Sequence, residues 1–170
     1  MPASISHTKS WICLASLLFI FNIFSSAQEK YLHFTEINGL PRNITKRIEQ
    51  DKYGYLWIGT GNGIVRYDGK NFYSYPELSG MGVNDLLYDT RDRLWVSTDK
   101  GLFRFNRLTN YFEKIISGYI SRLNEDEEEI YFLMISNLYK IKNDSAVIVH
   151  SGKDISDFCF SKEGIWIGIN

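Results

Sequence analysis

Cysteine is nearly absent from this chain. Cys13 and Cys159 are the only two, and once an N-terminal leader is cut away just one remains. That excludes an internal disulfide and a cysteine-cluster zinc site. Alanine is equally scarce beyond residue 27, where Ala146 stands alone. Helices draw on alanine and straight-chain residues, so the scarcity argues against a helical fold. No charge of one sign dominates: 19 Lys and Arg face 20 Asp and Glu, a formal charge of -1, so there is no basic surface for nucleic acid. Long apolar runs are missing too, with one exception. Trp11 to Phe24 is uncharged, follows Lys9 and precedes the small residues Ser25 and Ala27. The run is shorter than the roughly 20 residues of a membrane-spanning helix. It reads as a secretory signal peptide over 1–27, cut after Ala27. No cysteine follows it, so it lacks the pattern of a lipoprotein anchor.

What is present points to strands. Of the 170 residues, 44% are apolar, 15% aromatic and 23% charged, which is enough to bury the core of an ordinary domain. Tyr, Phe, Trp, Ile and Val are plentiful, and these favour pleated sheet.

The stretch Gly59-Thr60-Gly61-Asn62-Gly63 has the look of a phosphate-cradling loop. Such a loop must open a helix, but "IVRYD" follows, which is a strand pattern. The nucleotide reading fails on that point. The stretch instead belongs to a repeat. "YGYLWIGTGNGIVRYD" recurs as "RDRLWVSTDKGLFRFN", more weakly as "EEEIYFLMISNLYKIK", and begins again as "KEGIWIGIN". The anchors are Trp57, Trp95, Tyr131 and Trp166, at intervals of 38, 36 and 35 residues. The last glycine position of the loop becomes Gly63, Gly101 and Asn137 in successive copies. Each tolerates positive φ, so a hairpin corner is expected there. The other two glycines are replaced in the later copies and read as dispensable.

Each unit holds four short apolar runs separated by turn signals, among them Asp68-Gly69, a strong hairpin dipeptide. Four antiparallel strands at this period describe propeller blades. The expected fold is all-β, a partial β-propeller of about three and a half blades. Blade 1 spans 44–82, blade 2 spans 83–119, blade 3 spans 120–154, and an incomplete blade 4 spans 155–170. "YLHFTEINGL" aligns with "FYSYPELSGM", pairing Phe34 with Tyr75 and Glu36 with Glu77. Residues 28–43 therefore read as a strand that closes the last blade of the full propeller, and the chain as the front portion of a longer protein.

The tryptophans recur at one place per blade, which implies packing between neighbouring blades rather than stacking on a sugar. Ligand contacts are expected on loops. The entries to the inner strands and the second-to-third strand hairpins share one face, which carries Arg42, Asn62 and Lys100. Lys46 and Arg47 lie on the first inner strand, facing the channel. They suit an acidic sugar, or else ion pairs with acids of the closing blade or of loops. No paired carboxylates suggest a glycosidase, no cofactor is implied, and no metal site is nominated. The acidic run 124–129 lacks EF-hand spacing and reads as a solvated turn. Asp51 and Gly54 come close to the structural Asp-box of sialidase propellers but stand one residue too far apart.

"DKYGYLWIGTGNGIVRYDGKNF" and "DTRDRLWVSTDKGLFRFN" resemble the two-component regulator propeller repeat. Blade 3 departs, with Tyr131 for the tryptophan. The resemblance covers residues 31–170. It implies the periplasmic sensor region of a hybrid two-component histidine kinase from a glycan-degrading Gram-negative bacterium. In such proteins the propellers are followed by a β-sandwich, a membrane helix, a kinase core, a receiver and a DNA-binding domain. The implied ligand is an oligosaccharide and the implied output is transcription of glycan-utilisation genes. The implied partners are the remaining blades and signalling domains, with homodimerisation of the full-length protein left open. A polysaccharide-acting propeller enzyme and a protein-interaction scaffold are the alternative readings.

Overall fold

The computed structural model describes residues 31–169. The signal-peptide reading at 1–27 lies outside them. Residues 34–170 form one compact unit; residues 31–33 fall in a separate one and have no regular structure.

Fourteen strands account for the described chain. Blade 1 contains β1 (Thr45–Gln50), β2 (Leu56–Thr60), β3 (Gly63–Tyr67) and β4 (Phe72–Ser74). Blade 2 contains β5 (Val83–Tyr88), β6 (Leu94–Thr98), β7 (Gly101–Asn106) and β8 (Tyr111–Ser117). Blade 3 contains β9 (Ile120–Asp126), β10 (Glu129–Met134), β11 (Asn137–Lys142) and β12 (Ser145–Ser151). A final hairpin pairs β13 (Ile155–Ser161) with β14 (Gly164–Ile169). Every sheet is antiparallel with its strands in sequence order. This is the up-and-down blade that the repeat predicts. The inner strands are neighbours from blade to blade, β1 beside β5 and β5 beside β9.

Apolar clusters fill the joints. Between blades 1 and 2, Trp57, Ile64, Tyr75 and Leu78 pack against Val83, Leu94, Phe103, Phe105 and Phe112. Between blades 2 and 3, Trp95 and Leu102 meet Ile120, Ile130 and Phe132. Leu133 and Leu138 meet Ile155 and Phe158 at the next joint. Trp57 and Trp95 are fully buried, Tyr131 is partly buried against Phe160, and Trp166 is 58% exposed.

Among residues 31–43, part of the segment read as closing the last blade of the full propeller, there is a 3-10 turn at Glu36–Asn38 and no strand. A strand is defined by its ladder partner, and that reading concerns a last blade that the described residues do not include. The alignment behind that reading nevertheless has a structural counterpart. Phe34 packs on Tyr67 and Phe72 (5.0 and 5.1 Å) as Tyr75 packs on Phe105 and Phe112 (5.5 and 5.1 Å). Glu36 and Glu77 each accept a backbone N–H, from Asn43 and Phe112 respectively.

One expectation needs correction, that for the corner residues. Gly63 does adopt φ +111°, but Gly101 and Asn137 are not in the left-handed region. Gly101 is required by close approach instead, since a Cβ there would sit 2.5 Å from the Ile116 carbonyl oxygen. At the corresponding corner of blade 3 the left-handed residues are Ile135 and Ser136, with φ of 48° and 56°. Gly59 is not dispensable in its own blade: a Cβ would meet Val83 Cγ1 at 2.5 Å.

Candidate functional site

The faces of the arc are shaped by two buried carboxylates that hold the first hairpin turn of each blade. Asp51 accepts the backbone N–H groups of Tyr53 and Tyr55 (3.0 and 3.1 Å) and the indole N–H of Trp57 (3.0 Å). Asp89 repeats this with Arg91, Arg93 and Trp95 (3.1, 2.7 and 2.8 Å). Burial of a carboxylate is tolerable only when its lone pairs are filled and its charge is met. The cation differs between blades. Arg107, from the third-to-fourth strand turn of blade 2, reaches Asp51 Oδ2 at 3.1 Å. Asp89 is met by Arg93 of its own turn at 2.6 Å. A different acid-to-glycine spacing from the sialidase Asp-box thus still ties the aspartate to the tryptophan.

On the opposite face the hairpins are capped by threonine. Thr60 Oγ1 donates to the Gly63 carbonyl (2.9 Å) and accepts from Asn62 N (3.1 Å). Thr98 does the same with Gly101 and Lys100 (2.9 and 3.0 Å). Each hairpin is tied to the entry loop of its own blade, Gly61 N to the Ile44 carbonyl and Asp99 N to that of Gly82. Lys100 Nζ lies 3.3 Å from the Gly80 carbonyl. Arg42 is exposed on the entry loop of blade 1. Beside Asn62 a cleft of about 230 Å³ opens, lined by Pro41, Ser74, Tyr75, Pro76 and Ser79. Pro41 and Pro76 supply flat apolar surface there, Tyr75 being buried in the joint behind them, and the amide and hydroxyls supply hydrogen bonds.

Lys46 and Arg47 sit at a bulge of β1. Arg47 pairs with Asp85 of β5 at 2.7 Å, and Lys46 Nζ lies 3.5 Å from Asn84 Oδ1. The acid that answers Arg47 therefore comes from the following blade. Asp85 also accepts Leu123 N of β9 (3.1 Å). Desolvation, followed by the charge of Asp85, raises the pKa of nearby Glu49. On the next pair of inner strands Arg122 faces Asp157 at 3.6 Å. Arg47, Asp85, Arg122 and Asp157 hold matching places on β1, β5, β9 and β13, each at or beside a strand irregularity. The alternation of sign was in the sequence, but only the repeat register exposes it.

A second cleft, of about 360 Å³, lies on the turn face between blades 2 and 3. Its walls carry Arg91, Arg93, Lys142, Glu128, Glu129 and Asp144. Two members of the acidic run join blades here: Glu128 pairs with Arg91, and Glu125 accepts from Thr90 N (2.9 Å). The run is thus an inter-blade tie as well as a turn.

Four-stranded antiparallel blades in series, two of them held by a buried Asp–Trp pair, define a β-propeller repeat protein. Residues 38–62 match the family described as two component regulator propeller. Over 42 residues it is 48% identical to histidine kinase P4 of Formosa agariphila, covering 25% of this chain and 3% of that protein. Two solved structures from B. thetaiotaomicron share the fold. The extracellular domain described as that of hybrid two component system BT4673 matches at 26% identity, with TM-score 0.71, over 84% of this chain and 23% of its own length. The corresponding domain of BT3049 matches at 20% identity, with TM-score 0.69, over 85% and 22%. The chain thus spans less than a quarter of either solved domain.

Proposed function

We propose that this chain is the front of an extracytoplasmic sensor that binds an oligosaccharide. Occupancy would be signalled to a histidine kinase that controls glycan-utilisation genes, with the propeller held in the periplasm. The blades bind and do not catalyse. The observation that carries this reading is the cleft at Asn62, where Pro41 and Pro76 stand beside Ser74 and Ser79. Flat apolar faces interleaved with hydroxyls and an amide match the alternating faces and edges of a sugar ring. The similar proteins support it, being a histidine kinase and the extracellular domains of two-component systems. Calorimetric titration of the full-length ectodomain with an oligosaccharide panel should give saturable binding without hydrolysis. Asn62→Ala should weaken that binding several-fold, on the order of one lost hydrogen bond. Product formation during the titration would overturn the sensor reading.

A further inference from the structure

Three blades place a cation at the same point of the third strand. Arg66 lies opposite Trp57, Arg104 opposite Trp95 and Lys140 opposite Tyr131. Two of the three are neutralised. Arg104 pairs with Glu113 of its own outer strand (3.4 Å) and with Asp144 in the turn of blade 3 (2.8 Å). Lys140 pairs with Glu129 at 2.6 Å.

Arg66 lacks both kinds of partner. Its neighbour on the outer strand is Tyr73, where blade 2 has Glu113. The corresponding turn of the next blade, residues 107–110, reads Arg-Leu-Thr-Asn and supplies no acid. The other acids nearby are engaged. Asp51 is taken by Arg107. Asp68 accepts the N–H groups of Lys70 and Asn71 and the hydroxyl of Tyr73 (2.8, 2.6 and 2.9 Å). Among the described residues Arg66 has no hydrogen-bond or ion-pair partner, and its Nε is buried. What surrounds it is aromatic: its guanidinium lies 4.7 Å from the Tyr55 ring, 5.1 Å from Tyr73 and 5.7 Å from Trp57.

Cation–π contact alone leaves the buried Nε–H without an acceptor and the two terminal amino groups open to solvent and to a ligand. The group that fills them best is a planar or tetrahedral oxyanion, received by the fork of the guanidinium. Tyr73, 42% exposed, offers a flat ring beside it, suited to the apolar face of a sugar. We propose that Arg66 is the recognition point for an oxyanion carried on a saccharide, the carboxylate of a uronate or a sulfate ester. The site is formed by Arg66, Tyr55 and Tyr73, none of which lines the cleft at Asn62. The carrier rests on the glycan-sensing reading; the oxyanion rests on Arg66 itself.

The test is a calorimetric titration of the full-length ectodomain with three oligosaccharides of matched length: uronate-bearing, sulfated and neutral. A thermal-shift series in sodium sulfate against sodium chloride runs alongside. At least one acidic oligosaccharide should bind about tenfold or more tightly than the neutral one, the size of one charge-assisted hydrogen bond. Arg66→Gln should erase that preference, and Arg66→Lys should retain part of it. Sulfate stabilises folded proteins generally, so at matched ionic strength it should raise the melting temperature above the chloride value by more in the parent than in Arg66→Gln. Equal affinity for neutral and acidic oligosaccharides, or a preference that survives Arg66→Gln, overturns the oxyanion site and leaves glycan sensing intact. No saccharide binding together with an Arg66-dependent sulfate shift does the reverse. An absent or Arg66-independent sulfate shift counts against the oxyanion site whatever the saccharides do.

Discussion

The first two joints of the arc are built from the same repeat and end up different in kind. Between blades 1 and 2 the seal is aromatic: Trp57, Tyr75, Phe105 and Phe112 make edge and tilted contacts at 4.8–5.9 Å. The buried acid of blade 1 is shared with the next blade through Arg107. Between blades 2 and 3 the seal is Trp95 with Leu102, Ile120, Ile130 and Phe132. The buried acid there is satisfied from its own turn by Arg93. Where Arg107 reaches across the first joint, the second has Asn143, at the matching start of its turn. That short side chain borders the open charged cleft. One substitution per joint thus separates a plugged seam from a solvated one. The repeat fixes where blades meet, while the residues between its anchors decide what fills the space.

The largest effect should come from the seals. Trp57→Ala should cost about 3–5 kcal/mol, and Trp95→Ala less, because it forfeits fewer ring–ring contacts. Chemical denaturation of both variants orders them, and a reversed order breaks the contrast. Next is the cation. Arg107→Ala leaves Asp51, whose side chain is fully buried, without its countercharge, at about 2–3 kcal/mol. Hydrogen exchange should then rise in both blades 1 and 2, whereas Arg93→Ala should loosen the turn of blade 2 alone. Spread to blade 1 in the second variant would show that the two acids are not differently wired.

The joints should also differ in alkali. Burial pushes the Tyr75 hydroxyl up to about 12, and burial likewise raises Tyr88 of the same joint. An unfolded tyrosine ionises near pH 10, at about its ordinary value. The neutral folded form therefore contributes stability that is intact below about pH 10 and is lost as pH climbs toward about 12. Unfolding midpoints measured across that window should fall, and Tyr75→Phe should flatten the fall; an unchanged slope would remove Tyr75 from the account. The smallest effect concerns blade 3, where Ile135 occupies the left-handed region. Ile135→Asn should stabilise by about 1 kcal/mol, read as a raised melting temperature. No gain would mean that the exposed isoleucine has an offsetting role.

Much of this was legible in the chain. The interval between Trp57 and Trp95, the Asp-Gly turn and the alternating apolar runs specify antiparallel blades, because period-2 patterning and turn chemistry act locally. Asp51 and Asp89 were visible as turn residues, yet their burial and their bond to the indole six residues on were not, since sequence shows spacing but not solvent. Gly101 and Asn137 were misassigned for the same reason. A glycine can be demanded by a neighbour as well as by its own φ, and the neighbour of Gly101 is Ile116, on a strand reached only after a turn. The Arg47–Asp85 pair joins residues 38 positions apart; a cation on an inner strand signals that a partner exists without saying which blade provides it.

The sequence by itself determined the blade: four strands, the places of its turns, and the aromatic anchor that each copy carries. These follow from backbone preference and from the alternation of apolar residues, which need no distant information. Only the tertiary structure decided which charges are answered. Arg66, Arg104 and Lys140 are equivalent by repeat, yet their partners lie on outer strands and on neighbouring turns, where the copies differ. Pairing depends on distances of a few ångströms across a joint, and the repeat carries no record of them.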